Sequence, residues 1–150
     1  MEANGIAQAV LFSFLLIAVS VWDLRKRTIP DSICILIALT GLIDFSPVRF
    51  LGVLAALPLL TAALCKPEGI GGGDIKLTAA AGIVLGFWGC IVGLIFGLTA
   101  SLLFYLSVQT VRKLRNLESQ KASQAALPMA PFLSLGFFIV TIMKIGGNIL

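Results

Sequence analysis

The sequence predicts an all-α fold: a polytopic integral membrane bundle of about six transmembrane helices with its N-terminus outside. Three observations carry that reading. Of the 150 residues, 59% are hydrophobic and 12% charged, with a mean hydropathy of +1.06, against roughly 45–50% apolar and about 25% charged in an ordinary soluble domain. The apolar residues fall in long runs, and a bilayer admits a chain only as helices of about 20 residues or as a closed barrel. The cations gather in the short polar stretches between runs, which is how cytoplasmic loops are marked. The formal charge of +4 and pI near 9.3 therefore read as topology, and no nucleic-acid partner is expected. Residues 1–150 are taken as a single transmembrane domain, with the lipid bilayer as a partner and no separate soluble catalytic unit.

The first apolar run, residues 6–22, follows Glu2 and precedes Arg25, Lys26 and Arg27. That order is the reverse of a cleavable secretory signal and predicts a helix whose N-terminus lies outside. A polar stretch follows over 23–32, where Pro30 suits the entrance to a second helix over 33–45, because its missing amide hydrogen is not needed there. Ser46-Pro47 breaks that helix, and a third apolar segment, 50–65, stops at Lys66-Pro67. Residues 68–76 are glycine-rich and charged. The run 77–108 is long for one untilted crossing and short for two full ones. A turn at Gly86-Phe87-Trp88-Gly89 makes it cross twice and puts Arg25, Lys26, Arg27, Lys66, Lys76, Arg112, Lys113, Arg115 and Lys121 on one side, leaving Arg49 and Lys144 outside. A single crossing would oppose the positive-inside bias. A sixth helix over 131–150 completes the bundle, and Trp22 and Trp88 fall at its interfaces, as aromatic-belt residues do.

The chain has no histidine, so imidazole chemistry is excluded. Cys34, Cys65 and Cys90 stand singly in apolar stretches without metal-ligand spacing. They read as small buried hydrophobes, with neither a disulfide framework nor a metal nor a cofactor expected. Among the acidic residues, Asp23 and Asp74 are distinctive, because both fall at helix ends on the same predicted cytoplasmic boundary. Two unrelated interfacial charges would explain them, but ionisable groups at membrane depth tend to be functional, which favours a carboxylate pair. The stretch Gly69-Ile70-Gly71-Gly72-Gly73-Asp74-Ile75-Lys76-Leu77 sets four glycines before Asp74. Glycine opens dihedrals closed to other residues and lets another backbone approach, so an extended peptide is expected to lie along this loop by strand-like pairing. The run lacks the Gly-Lys-Ser/Thr ending of a P-loop and the glycine spacing of a dinucleotide fingerprint. Asp31 reads as the cap of the second helix, Asp44, Arg49 and Lys144 as interfacial anchors, and 109–124 as a charged extension against anionic headgroups.

Gly71-Gly72-Gly73-Asp74 fits the Gly-x-Gly-Asp signature of membrane aspartic proteases, and residues 66–86 resemble the type IV prepilin peptidase family. The resemblance continues in Glu68 before the glycines, Asp74-Ile75-Lys76-Leu77 after them, and the small residues Ala79, Ala80, Ala81, Gly82 and Gly86. A second element, Asp23-Leu24-Arg25-Lys26-Arg27-Thr28-Ile29-Pro30-Asp31, is similar to the family's Asp, basic residues and Ile-Pro-Asn/Asp pattern. A third, Pro128-Met129-Ala130-Pro131-Phe132-Leu133 with Gly136, resembles Pro-Phe-Gly-Pro-Phe-Leu and departs from it at Met129 and Ala130. Presenilin-type relatives share Gly-x-Gly-Asp but pair it with Tyr-Asp and Pro-Ala-Leu, where this chain has Trp22-Asp23 and no Pro-Ala-Leu.

The resemblance implies a prokaryotic cytoplasmic membrane, with Asp23 and Asp74 as catalytic residues on the cytoplasmic side. The implied substrate is a prepilin or pseudopilin: a basic leader ending in glycine, then an apolar helix. Gly71 and Gly73 would line a narrow cleft, Glu68 attract the leader's cations and Lys76 a pilin carboxylate. Longer members carry Cys-x-x-Cys pairs before the first helix, associated with methylation. This chain lacks them, so cleavage without methylation is expected, similar to the short peptidases of tight-adherence (Flp-type) pili. Because Asp74 begins a helix and Asp23 ends one, the helix macrodipole assigns Asp74 as resting base and Asp23 as resting acid, with Arg25, Lys26 and Arg27 opposing. A non-enzymatic scaffold or small transporter built on the glycine loop and Asp74 is the competing class, and the sequence is compatible with a homo-oligomer.

Overall fold

The computed structural model describes residues 3–43, 46–65, 71–114 and 129–147, and every regular element among them is helical. In chain order these are α1 (Ala3–Lys26), α2 (Asp31–Thr40), a 3-10 segment (Pro47–Ala56) that runs into α3 (Leu57–Cys65), α4 (Gly72–Leu114) and α5 (Ala130–Ile145). Among the described residues three stretches are long and apolar enough to cross a membrane, Asn4–Lys26, Pro47–Cys65 and Gly72–Val111; α2 and α5 are shorter apolar helices. The apolar surface is turned outward as well as inward. Along α1, Phe12, Leu16, Val19 and Asp23 form one buried face, whereas Val10, Phe14, Ile17 and Val21 are exposed, the arrangement of a helix packed on one side and wetted by lipid on the other.

The long helix α4 is interrupted at Gly86, whose φ of 81° and ψ of 173° are closed to other residues. The Cys90 thiol donates to the Thr78 carbonyl at 3.4 Å, although residues so spaced would lie about 18 Å apart along an unbroken helix. Here α4 doubles back, in the stretch where the sequence signals a turn. The arm before Gly86 packs on the 3-10 segment, where Gly52 and Gly82 meet backbone to backbone, and the arm after it packs on α5 through Gly93, Gly97 and Gly136. Leu77, Ala81 and Val84 from the first arm, Cys90 and Leu94 from the second, Phe12 and Leu16 from α1, and Leu133 and Phe137 from α5 form one core.

Several boundaries differ from the sequence expectation for physical reasons. The second helix stops at Thr40, where the Gly41 amide donates to the Ala38 carbonyl and the Leu42 amide to the Leu39 carbonyl, with Ile83 packed over the site of a Gly41 side chain. The third segment winds as a 3-10 helix up to Ala56: Pro58 has no amide to close an α-turn on Leu54, and the Leu57 amide closes the tighter ring instead. The last helix ends at Ile145, before Gly146 and a positive-φ Gly147. Cys34 and Cys90 are buried, but Cys65 at the end of α3 is exposed.

Candidate active site

Asp23 owes its position to the buried face of α1: one turn beyond Val19 and two beyond Leu16, it is carried inward by the same stripe, and its residue surface is only 7% exposed. Arg27 ends the helix in the left-handed region, at φ 53°, with its amide donating to the Asp23 carbonyl at 2.7 Å. A non-glycine residue there costs about 1 kcal/mol, and the turn sends Thr28, Ile29 and Pro30 directly into α2.

Asp74 is in the first turn of α4, with its amide donating to the Gly71 carbonyl at 3.1 Å. Leu77 and Ala81, fully buried on the same side of the helix, draw it inward, and it is 8% exposed. The Thr78 hydroxyl donates to the Asp74 carbonyl at 2.8 Å, which steadies the turn. Asp23 and Asp74 thus line one pocket of about 330 Å³, together with Ile29, Asp31, Lys76 and the glycines 71–73. Residues far apart in the chain are brought together as the sequence reading requires.

The glycines act differently from expectation. None of Gly71, Gly72 and Gly73 adopts positive φ, and Gly72 and Gly73 are the first residues of α4. Their backbone is committed to a helix, so strand-like pairing along Gly72–Lys76 is not available. What glycine supplies is closeness: a Cβ on Gly73 would stand 3.0 Å from the Ile29 Cβ, and one on Gly71 would touch the Asp74 carboxylate at 3.4 Å. Absence of those side chains lets the first turn of α4 lie against the 28–30 segment, and so brings one aspartate toward the other.

Asp31 is not a side-chain cap. Pro30 occupies the cap position of α2 and no side-chain cap bond forms; Asp31 sits in the first turn and pairs with Lys76 at 2.7 Å on the exposed rim. Lys76 is therefore tied to a partner within the chain. Glu68, like Asp44, Lys66, Arg115 and Lys121, lies outside the described residues. Among the described residues no group of three or more Cys, Asp and Glu side chains is placed to hold a metal ion.

A contributor that residue-type reasoning does not find is a backbone amide. The Ala130 N–H, at the start of α5, faces the Asp23 carboxylate. Opening amides of a helix have no partner inside it, and here Pro131 follows and carries no amide hydrogen at all. Ala130 itself is fully buried. The sequence signal is the Pro131 start of a helix within the third family-like element. This corrects the macrodipole argument: Asp23 ends α1, but it also faces the positive end of α5. The α1 C-terminus that would disfavour charge on Asp23 is thus opposed by the N-terminus of α5, which weakens the helix-end difference between the two aspartates.

A model of the type IV leader peptidase family matches residues 10–108, a span that contains both aspartates. The chain is 33% identical over 144 residues to the prepilin leader peptidase/N-methyltransferase of Bacillus subtilis, an overlap of 85% of this chain and 52% of that protein. This chain accordingly spans about half the length of that curated relative. No solved structure matches it.

Proposed function

The chain belongs to the type IV leader peptidase family, and from that premise we propose that it is a membrane-embedded aspartic endopeptidase that removes the leader of type IV prepilins or prepilin-like proteins. The single observation that carries the reading is the pair Asp23 and Asp74, both buried in one pocket. Two nearby carboxylates disfavour double ionisation, so the pair holds one proton between them at rest. The ionised member takes a proton from water, whose oxygen attacks the scissile carbonyl, while the protonated member donates to the carbonyl oxygen. Collapse of the tetrahedral intermediate breaks the C–N bond and delivers a proton to the leaving amine. With the helix-end difference weakened, the base and acid roles belong to the pair and not to either residue.

The proposed topology has the α1, 3-10/α3, α5 and two α4 arms crossing together with α2, the N-terminus outside, and the pocket at the cytoplasmic face of a prokaryotic cytoplasmic membrane. The cation-rich stretches beside Asp23 and Asp74 support that side. Glu68 is proposed to attract a basic leader. Lys76 would meet a pilin carboxylate by exchanging its Asp31 partner. Gly71 and Gly73 keep the cleft narrow enough for a glycine at the cut.

The test is co-expression with a candidate prepilin, scored by the mobility shift of leader removal. Cleavage by the wild type is expected, and a substrate-dependent current or uptake without cleavage would instead establish the transporter class. Within the same assay Gly73→Ala is expected to cut on the order of tenfold more slowly, because displacing the first turn of α4 from Ile29 misplaces Asp74. Wild-type rates in Gly73→Ala would show that this close approach does not set the catalytic geometry.

A further inference from the structure

A second cavity, of about 290 Å³, lies between α1 and α5. Its α1 wall is Ser13, Ile17 and Ser20, at the spacing of one helix face; its α5 wall includes Pro131, Ser134 and Phe138, at the same kind of spacing. The two helices run antiparallel there, since the end of α1 at Asp23 meets the start of α5 at Ala130. The groove therefore begins near the carboxylate pocket, at Ser20 and Pro131, and descends about 10 Å along α1 to Ser13, into the apolar part of the fold.

Building on the peptidase reading, we propose that this groove seats the apolar transmembrane helix of the substrate protein, holding the bond to be cut at the dyad. Three features support that occupant. The groove reaches Val21 on α1 and Pro131 on α5, two residues before Asp23 in the one helix and at the opening turn of the other, so a helix lying in it points its end toward Asp23. The Ser13 and Ser20 hydroxyls are turned back onto their own helix, donating to the Ala9 and Leu16 carbonyls at 2.7 and 2.9 Å. They leave only small, apolar-like surface, which suits the close approach of another helix. Ser134, in contrast, is 4% exposed, and its Oγ has no hydrogen-bond partner among the described residues. A buried hydroxyl without a partner costs free energy. A lipid chain cannot supply one, whereas a helix offering a small polar side chain or a carbonyl can.

The experiment uses the prepilin identified by the co-expression assay, carrying a photo-crosslinking residue at successive positions of its apolar helix. It is presented to Asp74→Asn enzyme in membranes so that it stays uncut. Crosslinks are expected on residues 13–21 and 131–138, mapped by mass spectrometry; links only to lipid, to another face, or to a second copy of the enzyme overturn the proposal. Kinetics give the second readout. Ser13→Trp fills the end of the groove far from the dyad and is expected to raise KM at least tenfold with kcat within about twofold. Ile95→Trp, a bulky change on an exposed face of α4 outside the groove, is expected to keep both. An unchanged KM in Ser13→Trp, or a loss confined to kcat, overturns the groove assignment. Failure of the wild type to cleave any prepilin would overturn the peptidase reading itself and is thereby distinguished.

Discussion

Asp23→Asn and Asp74→Asn are each expected to bring cleavage of a co-expressed prepilin to background. Asparagine keeps the shape of the side chain and removes its ability to exchange a proton. General acid–base catalysis contributes about 10²–10⁴-fold for a single group. Members of one catalytic unit are strongly non-additive, so the double variant should be no slower than either single one. The same substitutions should not harm folding. Each aspartate is buried, with 7% or 8% of its surface exposed, and in a pair that already holds one proton a neutral amide of the same shape replaces a neutral acid without adding buried charge. Unfolding midpoints in detergent near wild type, with cleavage lost, are the expected combination. Near-wild-type cleavage by either single variant would leave one carboxylate sufficient and end the two-aspartate mechanism. The sharper comparison is between the two. Asp23 faces the Ala130 amide at the start of α5, and Asp74 holds a place in the first turn of α4. Comparable losses are therefore expected, where the helix-end argument from sequence would have ranked them.

Much of this site was legible before any coordinates because the signals were local. Gly71-Gly72-Gly73-Asp74 and Asp23 through Asp31 are contiguous stretches whose residue types carry the family resemblance, and the turn at Gly86 follows from the one side on which it gathers the cations. What the sequence hid were relations between segments. The Ala130 amide is invisible to residue-type reasoning because a backbone donor belongs to every residue, and only the packing of α5 against the end of α1 aims this one. The left-handed Arg27 falls to a residue that rarely adopts that region, so no preference announces it. Lys76 and Asp31 pair across the rim, and a long flexible cation at a surface has many equally good partners until the fold removes most of them. The 3-10 winding of Pro47–Ala56 reflects competition between Pro58 and the packing of Gly52, neither of which an apolar run displays.

That last contact yields the largest expected effect on stability. Gly52 in the 3-10 segment and Gly82 in α4 present bare backbone to each other, and a Cβ built on either meets the other's carbonyl. A flexible side chain could rotate out of the way; a main-chain carbonyl held in a helix cannot. Gly82→Ala must therefore push the 3-10 segment off α4, loosening Ala55, Ala56, Ala81 and Val84, all buried around it. Overpacking of this kind costs about 1–3 kcal/mol, and the rigidity of both partners puts this case at or above the upper end. A fall of roughly 5–10 °C in the unfolding midpoint follows for a chain of this size. Gly5→Ala is the contrasting change: it lies within α1 with nothing within 4 Å of its added methyl. It should gain roughly 0.5–1 kcal/mol from helix propensity. The double variant Gly52→Ala/Gly82→Ala should fall short of the sum of its parts, since once the two segments have separated the second methyl enters space already opened. Because the displaced arm of α4 begins at the turn that carries Asp74, cleavage should fall with stability in Gly82→Ala. Equal midpoints for Gly82→Ala and wild type would mean that this backbone crossing does not hold the segments together.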